Sequence, residues 1–133
     1  MTAVALPSRP IGPDRVLVVD DRADVLDSLR LMLEEAGYQV FEAMDGPGAV
    51  EAVERVHPAA AIVDIGLPVF DGYEVAKRVR RLPDGQSMLL VALTGYGQPQ
   101  ARQWAEAAGF DLLLLKPVTP IRLREVLQSQ PRN

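Results

Sequence analysis

Four short apolar runs in this sequence end in side chains that could do chemistry at a common site. The runs cover residues 16–19, 60–63, 88–93 and 112–115, and the polar residues that follow them are Asp20 and Asp21, Asp64, Thr94 and Lys116. Unbroken apolar runs of this length are typical of strands buried on both faces of a parallel sheet, whose carboxyl ends meet at one edge. One such polar residue could simply cap a turn, but four at successive strand ends are hard to explain in that way. We therefore expect these side chains to converge.

The predicted cluster has the composition of a site for phosphoryl chemistry. Three carboxylates held close together repel one another unless a cation joins them. The chain has no cysteine and a single remote histidine, His57, so oxygen ligands and a hard ion are favoured: Mg²⁺ before Zn²⁺, with Mn²⁺ as an alternative. An ammonium and a hydroxyl opposite such an ion would stabilise phosphoryl oxygens, and a carboxylate can attack phosphorus to give an acyl phosphate.

The elements that must position this cluster alternate along the chain. Apolar residues at helical spacing follow each predicted strand, and an edge strand is expected at about residues 38–43. Asp45 and Asp71 stand where helix N-caps belong, and the fourth helix is expected at about residues 99–108. Five strands alternating with five helices predict a single α/β domain with a doubly wound parallel sheet and helices on both faces.

The composition excludes several classes of protein. The 133 residues are 48% hydrophobic and 24% charged with a net charge of −4, which suits a globular domain and disfavours a nucleic-acid partner. No apolar run approaches the roughly 20 residues of a membrane-spanning helix, and the Pro-broken N-terminus does not resemble a signal peptide. We expect a soluble cytoplasmic protein with a flexible leader at residues 1–13, a domain over residues 14–128 and a tail at residues 129–133.

Some conspicuous residues receive purely structural interpretations. Arg78, Arg80 and Arg81 are interpreted as the solvated end of a helix rather than as a nucleic-acid patch. Trp104 lies among alanines in a predicted helix, which favours part-buried packing over a platform for a ligand. His57 precedes a proline away from every strand end, so we expect it to be a loop residue.

As a set, the motifs at these strand ends resemble the receiver domains of two-component signalling, the response-regulator superfamily. The matching segments are Val-Val-Asp-Asp at 18–21, Val-Asp-Ile-Gly-Leu-Pro at 63–68, Asp-Gly at 71–72, Leu-Thr-Gly at 93–95 and Lys-Pro at 116–117. The resemblance extends over about residues 15–127. It implies a (βα)5 flavodoxin-like fold with strand order 2-1-3-4-5, which makes the strands before Asp20 and Asp64 neighbours at the switch point. The amino-acid sequences of residues 64–68, 92–97 and 109–111 are most similar to those of receivers attached to hybrid sensor histidine kinases.

The resemblance implies a role for each residue of the acidic cluster. Asp64 corresponds to the aspartate that takes a phosphoryl group from a phosphohistidine on a sensor histidine kinase or a histidine phosphotransfer domain. Asp21 corresponds to a direct ligand of Mg²⁺, and Asp20 to the neighbour that holds metal-bound water and orients Lys116. The third protein ligand, beside Asp21 and Asp64, corresponds to the backbone carbonyl of Gly66.

The resemblance also implies a switch, and here the sequence departs from the family. Thr94 and Lys116 correspond to the hydroxyl and the ammonium that contact the phosphoryl group, and the bond from Lys116 to Pro117 is expected to be cis. Receivers usually carry an aromatic residue, or in many hybrid-kinase relatives a histidine, three residues before the lysine, where this chain has Leu113. We therefore expect weakened coupling between the switch residues Thr94 and Leu113. The alternative is that Tyr96 substitutes for the missing ring.

A partner helix that carries the phosphohistidine would have to approach the first turns after Asp21. Arg22, Val25 and Leu26 are the candidate docking residues. Helical spacing places Val25 at the edge of the core stripe and Leu26 about 100° round from it. Both aliphatic side chains could instead belong to the core, more so for Val25.

Two other classes of function stay open on the sequence. The first is a pseudo-receiver, a pure interaction module, although the complete set of site residues disfavours it. The second is a doubly wound enzyme, but no Gly-rich phosphate loop follows residues 16–19, and Gly66 stands where Asp-nucleophile phosphatases carry a second acid. We expect a monomer that is not an enzyme beyond its own phosphorylation and slow autodephosphorylation.

Overall fold

The computed structural model describes residues 14–95 and 99–129. The elements are, in order, β1 (Arg15–Val19), α1 (Ala23–Glu35), β2 (Gln39–Ala43), α2 (Gly46–Val56), β3 (Ala60–Asp64), α3 (Gly72–Arg81), β4 (Leu89–Thr94), α4 (Ala101–Ala108), β5 (Leu112–Leu115) and α5 (Pro120–Ser129). The predicted leader and residues 130–133 of the predicted tail lie outside the described residues. Of the helices within that description, none combines the length and the apolar character needed to cross a membrane.

The strands form one parallel sheet in the order β2-β1-β3-β4-β5, which confirms the predicted topology. Its register brings the strand ends together. Asp64 pairs with Leu93 across β3 and β4, and Thr94 pairs with Leu115 across β4 and β5. The loops that follow β1, β3, β4 and β5 therefore begin side by side at the carboxyl edge of the sheet.

Two apolar cores cover the two faces of this sheet. Alternate strand residues, among them Leu17, Val63 and Ala92, are buried against α2, α3 and α4. The intervening residues, such as Val18 and Ile62, are buried against α1 and α5. Because β1, β3 and β4 are covered on both faces, apolar side chains are needed at nearly every position, which explains the unbroken runs in the sequence.

The start of α3 is built against the loop that carries Asp64. The side chain of Asp71 caps α3 by accepting a backbone N–H at 3.0 Å, and Asp45 caps α2 in the same way at 2.6 Å. At the next position, Gly72, an added Cβ would lie 2.6 Å from the backbone oxygen of Asp64. Only glycine therefore lets the helix approach this closely, and the approach fixes the end of β3.

Two predicted segments differ from the structure. The sequence predicts a buried fifth strand, but Leu115 is 57% exposed and Leu112 and Leu113 are half-buried. The reason is that β5 lies at the edge of the sheet and pairs with β4 alone. The fourth helix begins at Ala101 rather than at about residue 99, because residues 99 and 100 form a turn.

Candidate functional site

Three aspartates lie together at the carboxyl edge of the sheet. Asp20 follows β1, Asp64 ends the neighbouring β3, and Asp21 is next to Asp20 in the chain. One carboxylate oxygen from each lies within 4.8 Å of the others. Asp20 and Asp64 are buried, whereas Asp21 is exposed. The predicted convergence of the acids is therefore present in the structure.

Asp20 is held rigidly, and both of its carboxylate oxygens are engaged. Its Oδ1 accepts the backbone N–H of Arg22 at 3.0 Å, and its Oδ2 accepts a hydrogen bond from Lys116 Nζ at 2.7 Å. The residue is completely buried. A buried carboxylate with two donors is fixed in position, so Asp20 can hold the lysine ammonium in place.

Lys116 connects two of the three acids. Its Nζ lies 3.3 Å from Asp64 Oδ1 as well as 2.7 Å from Asp20 Oδ2, and its backbone N–H donates to the carbonyl of Thr94 at 2.9 Å. Burial lowers the pKa of Lys116, but the hydrogen bond to Asp20 and the charges of Asp64 and Asp20 outweigh burial and raise it overall. The side chain is therefore a permanent ammonium. The bond from Lys116 to Pro117 is cis, as the resemblance implies.

The negative charge of Asp64 is incompletely compensated in the folded protein. Burial raises its pKa, and the negative charge of Asp20 raises it further. The ammonium of Lys116 and the backbone N–H of Gly66 act in the opposite direction without cancelling this effect. The ionised form of Asp64 therefore costs free energy in the folded protein, and a nearby cation would lower that cost.

The donor set fits Mg²⁺ held by carboxylate oxygens. Since both oxygens of Asp20 accept protein hydrogen bonds, Asp21 and Asp64 are the better direct ligands, with Asp20 acting through water. One or two carboxylates completed by waters and substrate oxygens is the usual protein environment of Mg²⁺. The backbone N–H of Gly66 lowers the pKa of Asp64, and a ligand role for the Gly66 carbonyl stays a prediction.

The predicted switch residues share one face of the sheet. Thr94 ends β4, is buried, and follows Ala92 by two positions, so both side chains point toward the α2–α3–α4 face. Leu113 pairs with Ala92 and packs, half-buried, against the same core. Tyr96, the alternative source of an aromatic ring, lies outside the described residues.

The expected arrangement of the docking residues is wrong for Leu26, whereas Val25 lies at the edge of the core, where it was expected. Leu26, expected to point outward, is 3% exposed and belongs to the core under α1. Val25 is half-buried at the margin of that core. The buried stripe of α1 is formed by Leu26, Leu29 and Leu33, which are three and four residues apart, so the helix is rotated from the predicted orientation. Arg22 is exposed, as a docking residue must be.

Sequence reasoning missed Val69 in the loop after Asp64. This residue has φ 74° and its side chain is 79% exposed. Left-handed backbone is uncommon outside glycine and is a real outlier for a β-branched residue. The only signal in the sequence is the proline that precedes it in a short connection, which predicts a turn but not its conformation.

We expect Mg²⁺ binding to depend on Asp21. Asp21→Ala removes an exposed direct ligand without touching the core, and should weaken Mg²⁺ binding by about tenfold or more in calorimetric titrations. Asp27→Ala, which removes an exposed acid from α1 outside the cluster, is the matched control and should bind as the unmodified protein does. Equal affinities for the two variants would remove Asp21 from the site.

Fold and site together define a flavodoxin-like α/β domain with an acidic, lysine-bearing site at the carboxyl edge of its sheet. The family model described as response regulator receiver domain matches residues 16–128. The chain belongs to this family, and with it to two-component signalling.

Individual relatives are similar over most of the domain. An uncharacterised 14.6 kDa protein of Leptolyngbya boryana is 41% identical over 86% of this chain and 87% of its own length. The transcriptional regulatory protein PrrA of Mycobacterium leprae is 35% identical, but this chain spans only 45% of its length, and several other regulators are matched over about half of theirs.

Solved structures show the same fold. The chemotaxis response regulator CheY4 of Vibrio cholerae has a TM-score of 0.83 and 31% identity, covering 88% of this chain and 98% of that one. The receiver domain of the sensor histidine kinase PA1611 of Pseudomonas aeruginosa also has a TM-score of 0.83, with 30% identity over 89% and 97% of the two chains. That structure has a magnesium ion coordinated in its active-site cleft.

Proposed function

We propose that this chain accepts a phosphoryl group on Asp64, with Mg²⁺, from a phosphohistidine on a sensor histidine kinase or a histidine phosphotransfer domain. The observation that carries the proposal is the position of the Lys116 ammonium, 2.7 Å from Asp20 and 3.3 Å from Asp64. An ammonium fixed beside an acceptor carboxylate stabilises the negative charge of an incoming phosphoryl group without reorganisation. A pseudo-receiver would need neither this ion pair nor the three clustered acids.

In the proposed reaction a carboxylate oxygen of Asp64 attacks phosphorus while the P–N bond to the donor imidazole breaks. The nitrogen leaves with the bonding electron pair and takes up a proton, and Asp64 becomes an acyl phosphate. When bound by Asp21 and Asp64, Mg²⁺ would neutralise charge on the phosphoryl oxygens. Lys116 and the Thr94 hydroxyl contact the same oxygens. Transfer onward, or slow attack by water with release of inorganic phosphate, restores the carboxylate.

Incubation with acetyl phosphate tests this function directly. We expect intact-mass spectra to show the addition of one phosphoryl group in the presence of Mg²⁺ and none when the ion is chelated. Mn²⁺ should substitute for Mg²⁺, since it accepts the same oxygen ligands. A pseudo-receiver would gain no mass, and a phosphatase would turn over many equivalents of substrate, so both results would contradict the proposal. We also propose that the chain is monomeric and has no enzymatic activity on other molecules.

The partner that supplies the phosphoryl group is proposed to contact the exposed Arg22 and the half-buried Val25 at the start of α1. Both lie within five residues of Asp20 in a segment that leads directly from the site. Leu26 has no part in this surface because it is buried.

Phosphorylation should change the α4–β5 face only slightly. Leu113 has no ring to move into the space that the Thr94 hydroxyl would leave, and it is apolar enough to stay half-buried in both states. Amide chemical shifts recorded with and without a beryllofluoride phosphoryl mimic should therefore change strongly at residues 64–66, 94–95 and 116, but little across α4 and β5. Large changes throughout α4 and β5, together with a new dimer in solution, would show that leucine switches as an aromatic residue does.

A further inference from the structure

An exposed groove between α3 and α4 lies beside the site and takes no part in the proposed phosphoryl chemistry. We call it the α3–α4 groove. It is lined chiefly by Val69, Phe70, Tyr73, Lys77, Arg78 and Trp104. Val69 and Phe70 come from the loop after β3, so the groove is continuous with the segment that carries Asp64.

The aromatic side chains of the groove pack against neighbouring side chains, but Trp104 remains half exposed to solvent. The rings of Tyr73 and Trp104 meet edge to face with centroids 6.3 Å apart, and the Arg78 guanidinium lies 4.0 Å from the centre of the Phe70 ring. Trp104 is nevertheless 50% exposed, and Val69 is 79% exposed. Exposed apolar side chains that cluster in this way mark interaction sites, whereas isolated ones do not.

The backbone conformation of Val69 is a second observation that points to an interaction site in the groove. Its left-handed φ of 74° is costly for a β-branched side chain, and glycine would adopt the same backbone without strain. The side chain recovers little of that cost by packing, because most of its surface is in solvent. Backbone strain of this kind is concentrated at functional sites, which is consistent with a valine side chain that contacts a partner.

Charge indicates the kind of partner. In a chain with a net charge of −4, α3 carries four basic residues and one acid, and Arg80 is the one base among them that turns inward. The two acids at the groove are engaged: Asp71 caps α3, and Glu74 pairs with Arg78 at 2.9 Å. Lys77 and Arg81 have no carboxylate within 4.0 Å among the described residues. Lys77 lines the groove, and Arg81 follows it one helical turn further along the exposed face of α3.

We propose that the α3–α4 groove binds an acidic segment of a partner protein, which inserts an apolar side chain between Val69 and Trp104 and places its carboxylates near Lys77 and Arg81. Apolar burial supplies the affinity, and the charges select the partner and speed the encounter. The inference does not depend on phosphorylation of Asp64, since every contact that it uses is present in the unmodified protein.

The single tryptophan of the chain makes the groove directly observable. Short synthetic peptides without tryptophan, in which a Leu-Phe pair is flanked by glutamates, should shift the emission of Trp104 to shorter wavelengths. The same pair flanked by lysines should bind about tenfold more weakly, and glutamates flanking two serines should not bind measurably. Added salt should weaken the acidic peptide selectively. Asp64→Asn should bind the peptide normally, which separates this test from that of the phosphoacceptor.

Val69→Gly tests whether the Val69 side chain contacts a partner or only supports the fold. A side chain that contacts a partner can be removed with a loss of peptide binding but no loss of stability. Glycine relieves the left-handed backbone, so the variant should melt at a higher temperature, yet it should bind the fluorescently labelled acidic peptide at least about fivefold more weakly. Leu31→Ser removes a comparably exposed apolar side chain from α1 and should leave peptide binding unchanged. Lys77→Glu combined with Arg81→Glu should reverse the preference between the acidic and basic peptides.

Several outcomes would overturn the proposal. They are no shift of Trp104 emission with the acidic peptide, equal binding of the acidic and basic peptides, and unchanged binding by Val69→Gly. A concentration-dependent emission shift without peptide, accompanied by dimers in sedimentation, would assign the groove to a second copy of this chain instead.

Discussion

Asp64→Asn is expected to abolish the mass increment that acetyl phosphate produces in the presence of Mg²⁺. Asparagine has nearly the shape of aspartate, and its amide oxygen can still lie beside the Lys116 ammonium, but that oxygen cannot form a stable acyl phosphate. No other carboxylate in the described site can replace it, since Asp20 is completely buried with both oxygens engaged and Asp21 lies outside the β3 loop. We expect no labelling above background.

The fold of this variant should be intact, which keeps the result interpretable. Because the pKa of Asp64 is raised in the folded protein, its ionised form opposes folding, and that cost appears as the pH rises through the raised pKa. Removing the charge should therefore leave the melting temperature of the metal-free protein at neutral pH unchanged or higher. Asp71→Asn, which keeps the α3 cap, is the matched control and should be labelled normally. Labelling of Asp64→Asn at the unmodified level would remove Asp64 as the acceptor.

The parts of the fold that could be predicted from the sequence are those controlled by burial on two faces. Strands β1, β3 and β4 lie inside the sheet, so every position must be apolar until the strand ends, and the first polar residue marks the carboxyl edge. This is why Asp20, Asp64 and Thr94 were placed correctly relative to one another. The alternation of strands and helices then leaves few ways to connect them.

The errors arise where burial is partial. At the edge strand β5, a run of leucines has the same pattern as a central strand, and only the topology reveals that Leu115 is exposed. In α1, Val25 and Leu26 are adjacent apolar residues, and which of them faces the core depends on how the helix is rotated as it packs against the sheet and α5. Sequence periodicity does not determine that rotation to within one residue.

A second kind of feature has no local signature in the sequence. Arg80 lies in a run of basic residues that is typical of a solvated helix end, and its neighbours Arg78 and Arg81 are indeed exposed. Arg80 instead points inward and joins three segments. Its Nη1 donates to the carbonyls of Gly85 at 2.6 Å and Met88 at 2.8 Å. Tertiary structure alone distinguishes it from the residues beside it.

The same guanidinium also contacts the connection between α4 and β5. Its Nε donates to the carbonyl of Gly109 at 2.9 Å, and its Nη2 pairs with Asp111 Oδ2 at 3.0 Å. Asp111 Oδ2 in turn accepts the backbone N–H of Leu90 at 2.9 Å. Arg80 therefore ties the end of α3 to the loop before β4 and to the connection between α4 and β5.

Arg80→Ala should consequently destabilise the protein by about 3 kcal/mol, because it leaves Asp111 and several backbone carbonyls without their charged donor. The side chains of Arg80 and Asp111 are only 14% and 21% exposed, so water replaces the lost hydrogen bonds incompletely. We expect a melting temperature lower by about 10 °C in calorimetry. The adjacent Arg81→Ala, on the exposed face of the same helix, should change stability by no more than about 0.5 kcal/mol.

A double-mutant cycle distinguishes the loss of this network from a general loss of helix stability. If Arg80 and Asp111 act together, the variant that combines Arg80→Ala with Asp111→Ala should be destabilised by clearly less than the sum of the two single changes. Additive losses would mean that the two side chains act independently, and equal melting temperatures for Arg80→Ala and Arg81→Ala would contradict the role of Arg80 altogether. The Arg80 network lies at the amino edge of the sheet, whereas Asp64 lies at the carboxyl edge. All of these variants should therefore still be labelled by acetyl phosphate below their melting temperatures.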